Sequence, residues 1–179
     1  MRSRAWVILP IAAALAVLAL TGCTTIGGGR IPPPSDLPQE TTRTSVFFST
    51  GRSLFEEPRV VDATDVYRGT LDELIEATPE TNEEAAIVQP QASIRSVSLK
   101  DGVLTIDWSR EILTFEANRS EQLLALGAVL RTLGQFAEVE KVRFTVEGRT
   151  EGRLDGRDVR AFWGDVSLSG QPWAVLRAK

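Results

Sequence analysis

An α+β domain with two helices packed on one face of a small mixed or antiparallel sheet is the fold this sequence predicts. Three observations point to it. Residues 94–109 read as two β-rich runs around Asp101-Gly102, a dipeptide that favours a two-residue hairpin turn because both central residues take positive φ. The run Lys141-Val-Arg-Phe-Thr-Val-Glu147 alternates apolar and polar, the period of a half-buried strand. Between them, Leu123, Leu126, Leu130 and Leu133 recur at the three-and-four spacing of a helix.

Taken in order, residues 45–49 read as a first strand and 59–61 as a short second one after the Gly51-Arg52 turn. Thr64 or Asp65 is placed to cap a helix reaching about residue 77. Its apolar stripe is Val66, Tyr67, Leu71, Leu74 and Ile75, with Asp72, Glu73 and Glu76 outward. Thr78-Pro79 stops it, and the acidic stretch 80–84 is a solvated loop without the spacing of a metal-ligand loop. In the hairpin, a two-residue turn sets Leu99 opposite Leu104, Val97 opposite Ile106 and Arg95 opposite Trp108 on the core side, with Ser98 opposite Thr105 behind. Arg95 over Trp108 would then be a cation–π pair. Ser120 reads as the N-cap of the second helix, which runs to about residue 135. Gly127 and Gly134 cost that helix stability, so their expected use is close approach to a strand, or a loose end at Gly134. In the next strand Val142, Phe144 and Val146 point inward, and Gly148 closes it. Residues 151–158 form a polar loop; likeness to a calcium loop fails because Arg153 and Arg157 intrude and no bidentate Glu follows. Residues 159–178 carry Phe162, Trp163 and Trp173 with weak strand character.

The N-terminal segment is organised for export. Arg2 and Arg4 precede an apolar run over 5–20 that is interrupted by Pro10 and is shorter than a spanning helix needs. The run stops at Leu20-Thr21-Gly22-Cys23, which resembles a lipobox, with an apolar residue, small residues and a thiol that accepts diacylglycerol. We therefore read 1–22 as a lipoprotein signal peptide, 23–43 as lipidated Cys23 with a tether, 44–150 as the main domain and 151–179 as a C-terminal extension packed on it. Gly27-Gly28-Gly29, Pro32-Pro33-Pro34 and Pro38 give the tether flexibility and reach. The triple glycine lacks the Gly-Lys-Ser/Thr ending of a phosphate loop. The expected location is the extracytoplasmic face of a membrane, lipid-anchored. Thr24, rather than an Asp that would retain some lipoproteins in the inner membrane, follows the Cys, so the choice of membrane stays open.

Composition narrows the chemistry. The 179 residues are 42% hydrophobic and 25% charged, enough for one domain plus targeting segments. The net charge of −4 becomes −6 once Arg2 and Arg4 leave with the leader, which argues against a nucleic-acid partner. With no His and one Cys, the chain builds no Ser-His-Asp triad, thiol–imidazole pair, common zinc site or internal disulfide. No cofactor and no metal are expected. An enzyme would have to use paired carboxylates, Asp107 with Glu111 or Asp155 with Asp158, on a saccharide. Trp163 and Trp173 are the candidate contacts to a partner or ligand, as a stacking platform for a glycan or small molecule, against their reading as apolar filler.

The order of elements, and several motifs over residues 45–149, resemble the GerMN domain of spore-germination and sporulation proteins, common in bacterial lipoproteins. The hairpin Ile-Arg-Ser-Val-Ser-Leu-Lys-Asp-Gly-Val-Leu-Thr-Ile-Asp-Trp-Ser over 94–109 is similar to the family's Ser-Val-x-Val-x-Asp-Gly-x-Ala-x-Val-Asp-Leu-Ser. Thr132-Leu133-Gly134-Gln135-Phe136 resembles its Thr-Leu-x-x-Phe helix ending. Residues 139–148 resemble its strand ending in an acidic residue and Gly. Thr78-Pro79 replaces a common Gly-Pro, and Trp108 a usual aliphatic. The resemblance implies a fold similar to ring-building domains of envelope complexes. It also implies a non-catalytic module for assembly or protein interaction, as in sporulation complexes or lipoproteins beside sensor kinases. The expected partners are the membrane through the lipid anchor, an envelope protein, and a second copy of the chain in a homo-oligomer.

Overall fold

The computed structural model describes residues 40–49, 52–76 and 91–177. The signal peptide, Cys23, most of the tether, the Gly51 turn residue, Thr78-Pro79 and the acidic stretch 80–84 lie outside the described residues. Among the described residues, no helix is long and apolar enough to cross a membrane.

Strands β1 (Thr41–Ser49) and β2 (Leu54–Asp62) form an antiparallel hairpin. Both are longer than the sequence suggests. β1 takes up residues 41–43, assigned to the tether, and β2 runs through Pro58, which a central strand would reject but an edge strand accepts. One hairpin face turns inward, burying Thr44, Val46, Phe48, Glu57 and Val61. Buried Glu57 is ion-paired with Arg59, which also reaches Glu73 at 3.4 Å and lies 5.4 Å above the Phe48 ring.

A 3-10 turn leads into helix α1 (Val66–Glu76). The cap is Asp62, two residues before Thr64 and three before Asp65: its carboxylate accepts from Thr64 N at 2.8 Å and Thr64 Oγ1 at 2.7 Å. Leu71, Leu74 and Ile75 are buried as expected, with Thr70 beside them, while Val66 and Tyr67 are half-buried.

The second sheet has the order β3-β4-β5-β8, from β3 (Ile94–Lys100), β4 (Val103–Trp108), β5 (Lys141–Val146) and β8 (Trp173–Ala174). The β3–β4 turn is as predicted, with φ 50° at Asp101 and 74° at Gly102. Leu99 faces Leu104, Val97 faces Ile106 and Ser98 faces Thr105. Arg95 does not face Trp108. A bulge between Ile94 and Ser96 brings buried Ile94 opposite Trp108 and turns Arg95 out to Asp107 at 2.9 Å. A guanidinium at the fully buried Trp108 would lose its hydration without a carboxylate; the bulge removes it from the core side.

β5 lies parallel to β4, so the chain must cross over, and helix α2 (Arg119–Leu133) makes the crossing. Its N-cap is Asn118, not Ser120. Asn118 Oδ1 accepts from Ser120 N and Glu121 N, and Glu121 returns a bond to Asn118 N at 2.8 Å, a full capping box. The buried face also differs from the leucine stripe. Gln122, Ala125, Ala128, Val129, Thr132 and Leu133 turn inward with Leu130, whereas Leu123 stays 46% exposed and Leu126 half-buried. Small residues win these positions because α2 lies directly on β1, where Thr132 Oγ1 accepts from Phe47 N at 3.2 Å.

Residues 151–177 supply five buried side chains to the core. A two-residue hairpin, β6 (Arg153–Leu154) with β7 (Arg157–Asp158), turns at Asp155-Gly156. Val159, Phe162, Trp163, Val166 and Leu168 are buried with the sheet residues. The segment then runs back as β8 beside β5 and crosses the end of α2, where a Cβ on Gly134 would sit 2.2 Å from the Leu176 carbonyl oxygen. Arg177 donates there to the carbonyls of Gly134, Phe136, Ala137 and Val139.

Two predictions follow from this packing. Gly134→Ala should lower stability by about 2–4 kcal/mol, since the neighbour that must move is backbone. Gly127→Ala, whose Cβ would meet only Leu54 Cδ1 at 3.8 Å, should be neutral or stabilising by up to about 1 kcal/mol. Urea denaturation of the two variants checks the pair. The second concerns Tyr67, which hydrogen-bonds Glu138 and packs edge-on against Phe136 at 5.1 Å. Burial, and then that bond, push the Tyr67 hydroxyl up to about 12, and the same bond holds Glu138 below its ordinary range. A depressed carboxylate stabilises the fold above its unfolded value and loses this as pH falls. Between neutral pH and the region below 4.5, the wild type should lose more stability than Tyr67→Phe; equal losses in urea titrations would refute the linkage.

Candidate functional site

The sequence nominates Cys23, two tryptophans and two carboxylate pairs. Cys23 lies outside the described residues. Trp163 is only 3% exposed; its indole N–H donates to Ile112 O at 3.0 Å, and its ring lies between Phe115 and Phe162, with centroids at 4.9 and 4.7 Å. A ring enclosed in this way offers no face to a ligand, so its role as a ligand contact is corrected to that of core filler. Trp173 is half-buried at the start of β8, edge-on to Phe144 at 5.1 Å. The solvent-facing pair needed for a stacking platform is not formed.

The carboxylates are engaged in structure. Asp107 lies on the sheet face away from the core, yet it is not simply solvated. It accepts from Thr145 Oγ1 and Gly148 N, both at 2.7 Å, and pairs with Arg95, fixing the ends of β4 and β5 together. Glu111 is held below its ordinary range chiefly by a hydrogen bond from the Ser109 side chain. Asp155 meets Arg110 at 3.3 Å, and Asp158 accepts from Arg160 N at 3.0 Å in a turn. Residues 152–158 thus form a plain hairpin, and among the described residues no cluster of acidic, His or Cys side chains could hold a metal.

The outer face of the β1–β2 hairpin is different. Pairing places Arg43 opposite Val60, Ser45 opposite Pro58 and Phe47 opposite Glu56 on this face. Two shallow hollows lie along it. One, of about 450 Å³, is lined by Arg43, Pro58, Arg59 and Val60; the other, of about 340 Å³, includes Ser45, Phe47, Glu56, Arg131, Gln135 and Arg177. Arg131 lies 5.4 Å above the Phe47 ring and donates to Arg177 O. Val60 is 61% exposed. Across the domain Arg59, Arg68, Arg95, Arg110, Arg119 and Arg160 each sit within 4 Å of a carboxylate. Arg43, Arg131 and Arg177 sit within 4 Å of no carboxylate among the described residues, as do Arg52, Arg143, Arg149, Arg153 and Arg157, and Glu56 is the acidic residue lining the two hollows. Sequence reading missed this face because Arg43 falls in the span assigned to the tether.

A hairpin, two helices and a four-stranded mixed sheet, with the nominated polar groups tied into structure, define a small α+β domain. Residues 34–152 match the Germane family, sporulation and spore germination, and the chain belongs to that family, with a GerMN-type domain. The fold is similar to the first GerMN domain of the sporulation protein GerM from Bacillus subtilis, at TM-score 0.53 and 17% identity, covering 65% of this chain and 92% of that one. It is similar also to a candidate lipoprotein from Clostridium perfringens, at TM-score 0.53 and 16% identity, covering 75% and 87%. No curated protein matches the chain.

Replacing Asp107 tests its structural role. Asp107→Asn removes the charge from three hydrogen bonds and should cost about 2 kcal/mol, read as a lower midpoint of urea denaturation with an unchanged slope.

Proposed function

We propose that this protein is a membrane-anchored extracytoplasmic lipoprotein whose GerMN-type domain is a non-catalytic module for protein interaction or complex assembly in the bacterial cell envelope. The setting is sporulation- or germination-like, or that of an accessory to a membrane sensor. The observation that carries the reading is the Leu20-Thr21-Gly22-Cys23 box at the end of an apolar leader, joined to a domain of a sporulation and germination family. Acyl chains on Cys23 would hold the chain at the bilayer without a spanning helix. The carboxylates nominated for chemistry are bonded within the fold, which supports assembly over hydrolysis. The candidate-lipoprotein status of a structural neighbour agrees with the anchor.

Crosslinking in cells, followed by membrane solubilisation and mass spectrometry, tests this against a Cys23→Ser form. An envelope protein recovered with the native chain and lost with Cys23→Ser is the expected result. Recovery of no protein, or equal recovery from both forms, would sink the tethered-module reading.

A further inference from the structure

We propose that β3 pairs edge to edge with β3 of a second copy of the chain, about a two-fold axis at Ser98, so that two four-stranded sheets join into one. The inference deepens the assembly reading by naming a partner and the surface that meets it. It rests on the assembly part of that reading and not on the lipid anchor.

Open peptide groups are the first argument. The tight turn at Asp101-Gly102 makes Lys100 and Val103 a hydrogen-bonded pair, and bonding then alternates along the antiparallel ladder. Ser98 therefore bonds to Thr105, while the N–H and C=O of Val97 and Leu99 point away from β4. Among the described residues no further hydrogen bond reaches these two. Other edges are occupied. On β1, Gln135 takes both groups of Ser45, and Thr132 takes Phe47 N. On β5, β8 pairs with Val142, Gln171 takes both groups of Phe144, and Arg149 exchanges two bonds with Val146. A strand laid along β2 would lose its central rung, since Pro58 has no N–H and its carbonyl accepts from Arg59. β3 keeps its outward rungs intact, the template that strand addition requires.

Self-complementarity is the second argument, and it names a second copy as the occupant. With Ser98 on the two-fold axis, Val97 lies opposite Leu99 of the second copy and Leu99 opposite its Val97, so every open group of both residues finds a partner. Registers centred on Val97 or Leu99 bond one residue to its twin and set the other against the bulge at Arg95 or the turn at Asp101. Side chains agree with the Ser98 register. Ser96, Ser98 and Lys100 are exposed on one side of the strand, so the small Ser98 pair meets at the axis and Lys100 faces Ser96 rather than its own twin. On the other side, half-buried Val97 and Leu99 pack against the core and cover each other across the seam. Lys100 and the bulge at Arg95, devices that guard an edge against longer pairing, stop the contact at residues 96 and 100. A two-fold contact that uses the same edge of both copies closes on itself, so this assembly ends at a dimer.

The experiment uses the full chain carrying Cys23→Ser, in which Ser98→Cys is the one thiol because Cys23 is the only native cysteine. In the proposed register the two Ser98 residues form a non-hydrogen-bonded pair, whose Cα atoms lie about 4.5 Å apart, within the roughly 4.4–6.8 Å that a disulfide spans. Mild oxidation should therefore link Ser98→Cys into a covalent dimer on a non-reducing gel. Ser96→Cys alone should not link, because its twin lies opposite Lys100, farther along the strand. Ser96→Cys together with Lys100→Cys should link. Adding Ser98→Lys, which sets like charges at the axis on an exposed position, should abolish that second link with the urea midpoint unchanged. No dimer from Ser98→Cys, or equal yields from Ser98→Cys and Ser96→Cys, overturns the proposal. So does a link that survives Ser98→Lys. In-cell crosslinking separates the two readings. An envelope protein recovered although Ser98→Cys forms no dimer defeats the pairing alone, and a dimer with no envelope protein recovered defeats the envelope-partner reading alone.

Discussion

The ring of Phe144 is the contact on which the rest of the domain depends. It sits fully buried in the middle of β5, where the parallel pairing with β4, the antiparallel pairing with β8 and the segment after Gly152 converge. Trp108 meets it edge-on at 5.7 Å and Trp173 edge-on at 5.1 Å, while Phe162 lies tilted against it at 5.4 Å. Aromatic pairs in such geometries add about 0.5–1.5 kcal/mol each beyond the area they bury. That gain is set against Phe162 itself, whose φ of 50° puts a bulky residue in left-handed backbone at a cost of about 1–2 kcal/mol. The strain is tolerated because it aims the ring at Phe144.

Two glutamines do for the strands what a further strand would have done. Gln135 accepts from Ser45 N at 2.9 Å and donates to Ser45 O at 2.8 Å. Gln171 accepts from Phe144 N at 2.7 Å and donates to Phe144 O at 2.9 Å. In each case a side-chain amide presents the donor and acceptor of a backbone peptide and occupies one rung of a ladder. β1 can therefore end against a helix, and β5 can extend beyond the two residues of β8, without leaving buried peptide groups unpaired. Loops follow Gln135 and precede Gln171, which lets the amides turn to meet the strands.

Much of this was legible in the residues. Asp101-Gly102 specified the hairpin and most of its register, and the alternation over 141–147 specified a strand whose Val142, Phe144 and Val146 are all fully buried. Local chemistry was enough where one residue decides one dihedral or one face. It was insufficient where a choice depended on something distant. The bulge at Arg95 answers to Asp107 and to the buried Trp108 across the ladder. The rotation of α2 away from Leu123 answers to β1, whose close backbone favours Ala125 and Ala128 over leucine. Asp62 and Asn118 preceded the expected caps by two or three positions, since Asp, Asn, Ser and Thr all serve and the winner is set by where the preceding strand or loop ends. Trp163 could have been placed inside by the Phe162 beside it, but its acceptor, Ile112 O, is a backbone atom that sequence does not mark.

The path of residues 159–177 has a consequence for how the domain comes together. Val159, Phe162, Trp163, Val166 and Leu168 complete the core, Leu176 lies against Gly134, and Arg177 binds carbonyls of the segment that follows α2. Until these residues arrive, β4, α2 and β5 can form their local hydrogen bonds, but one side of Phe144 remains wet. Completing the core joins the last segment to strands much earlier in the chain, contacts of the high sequence separation whose loop closure slows folding. A chain threaded through a membrane from its N-terminus would remain open, and so transportable, until almost all of it had crossed.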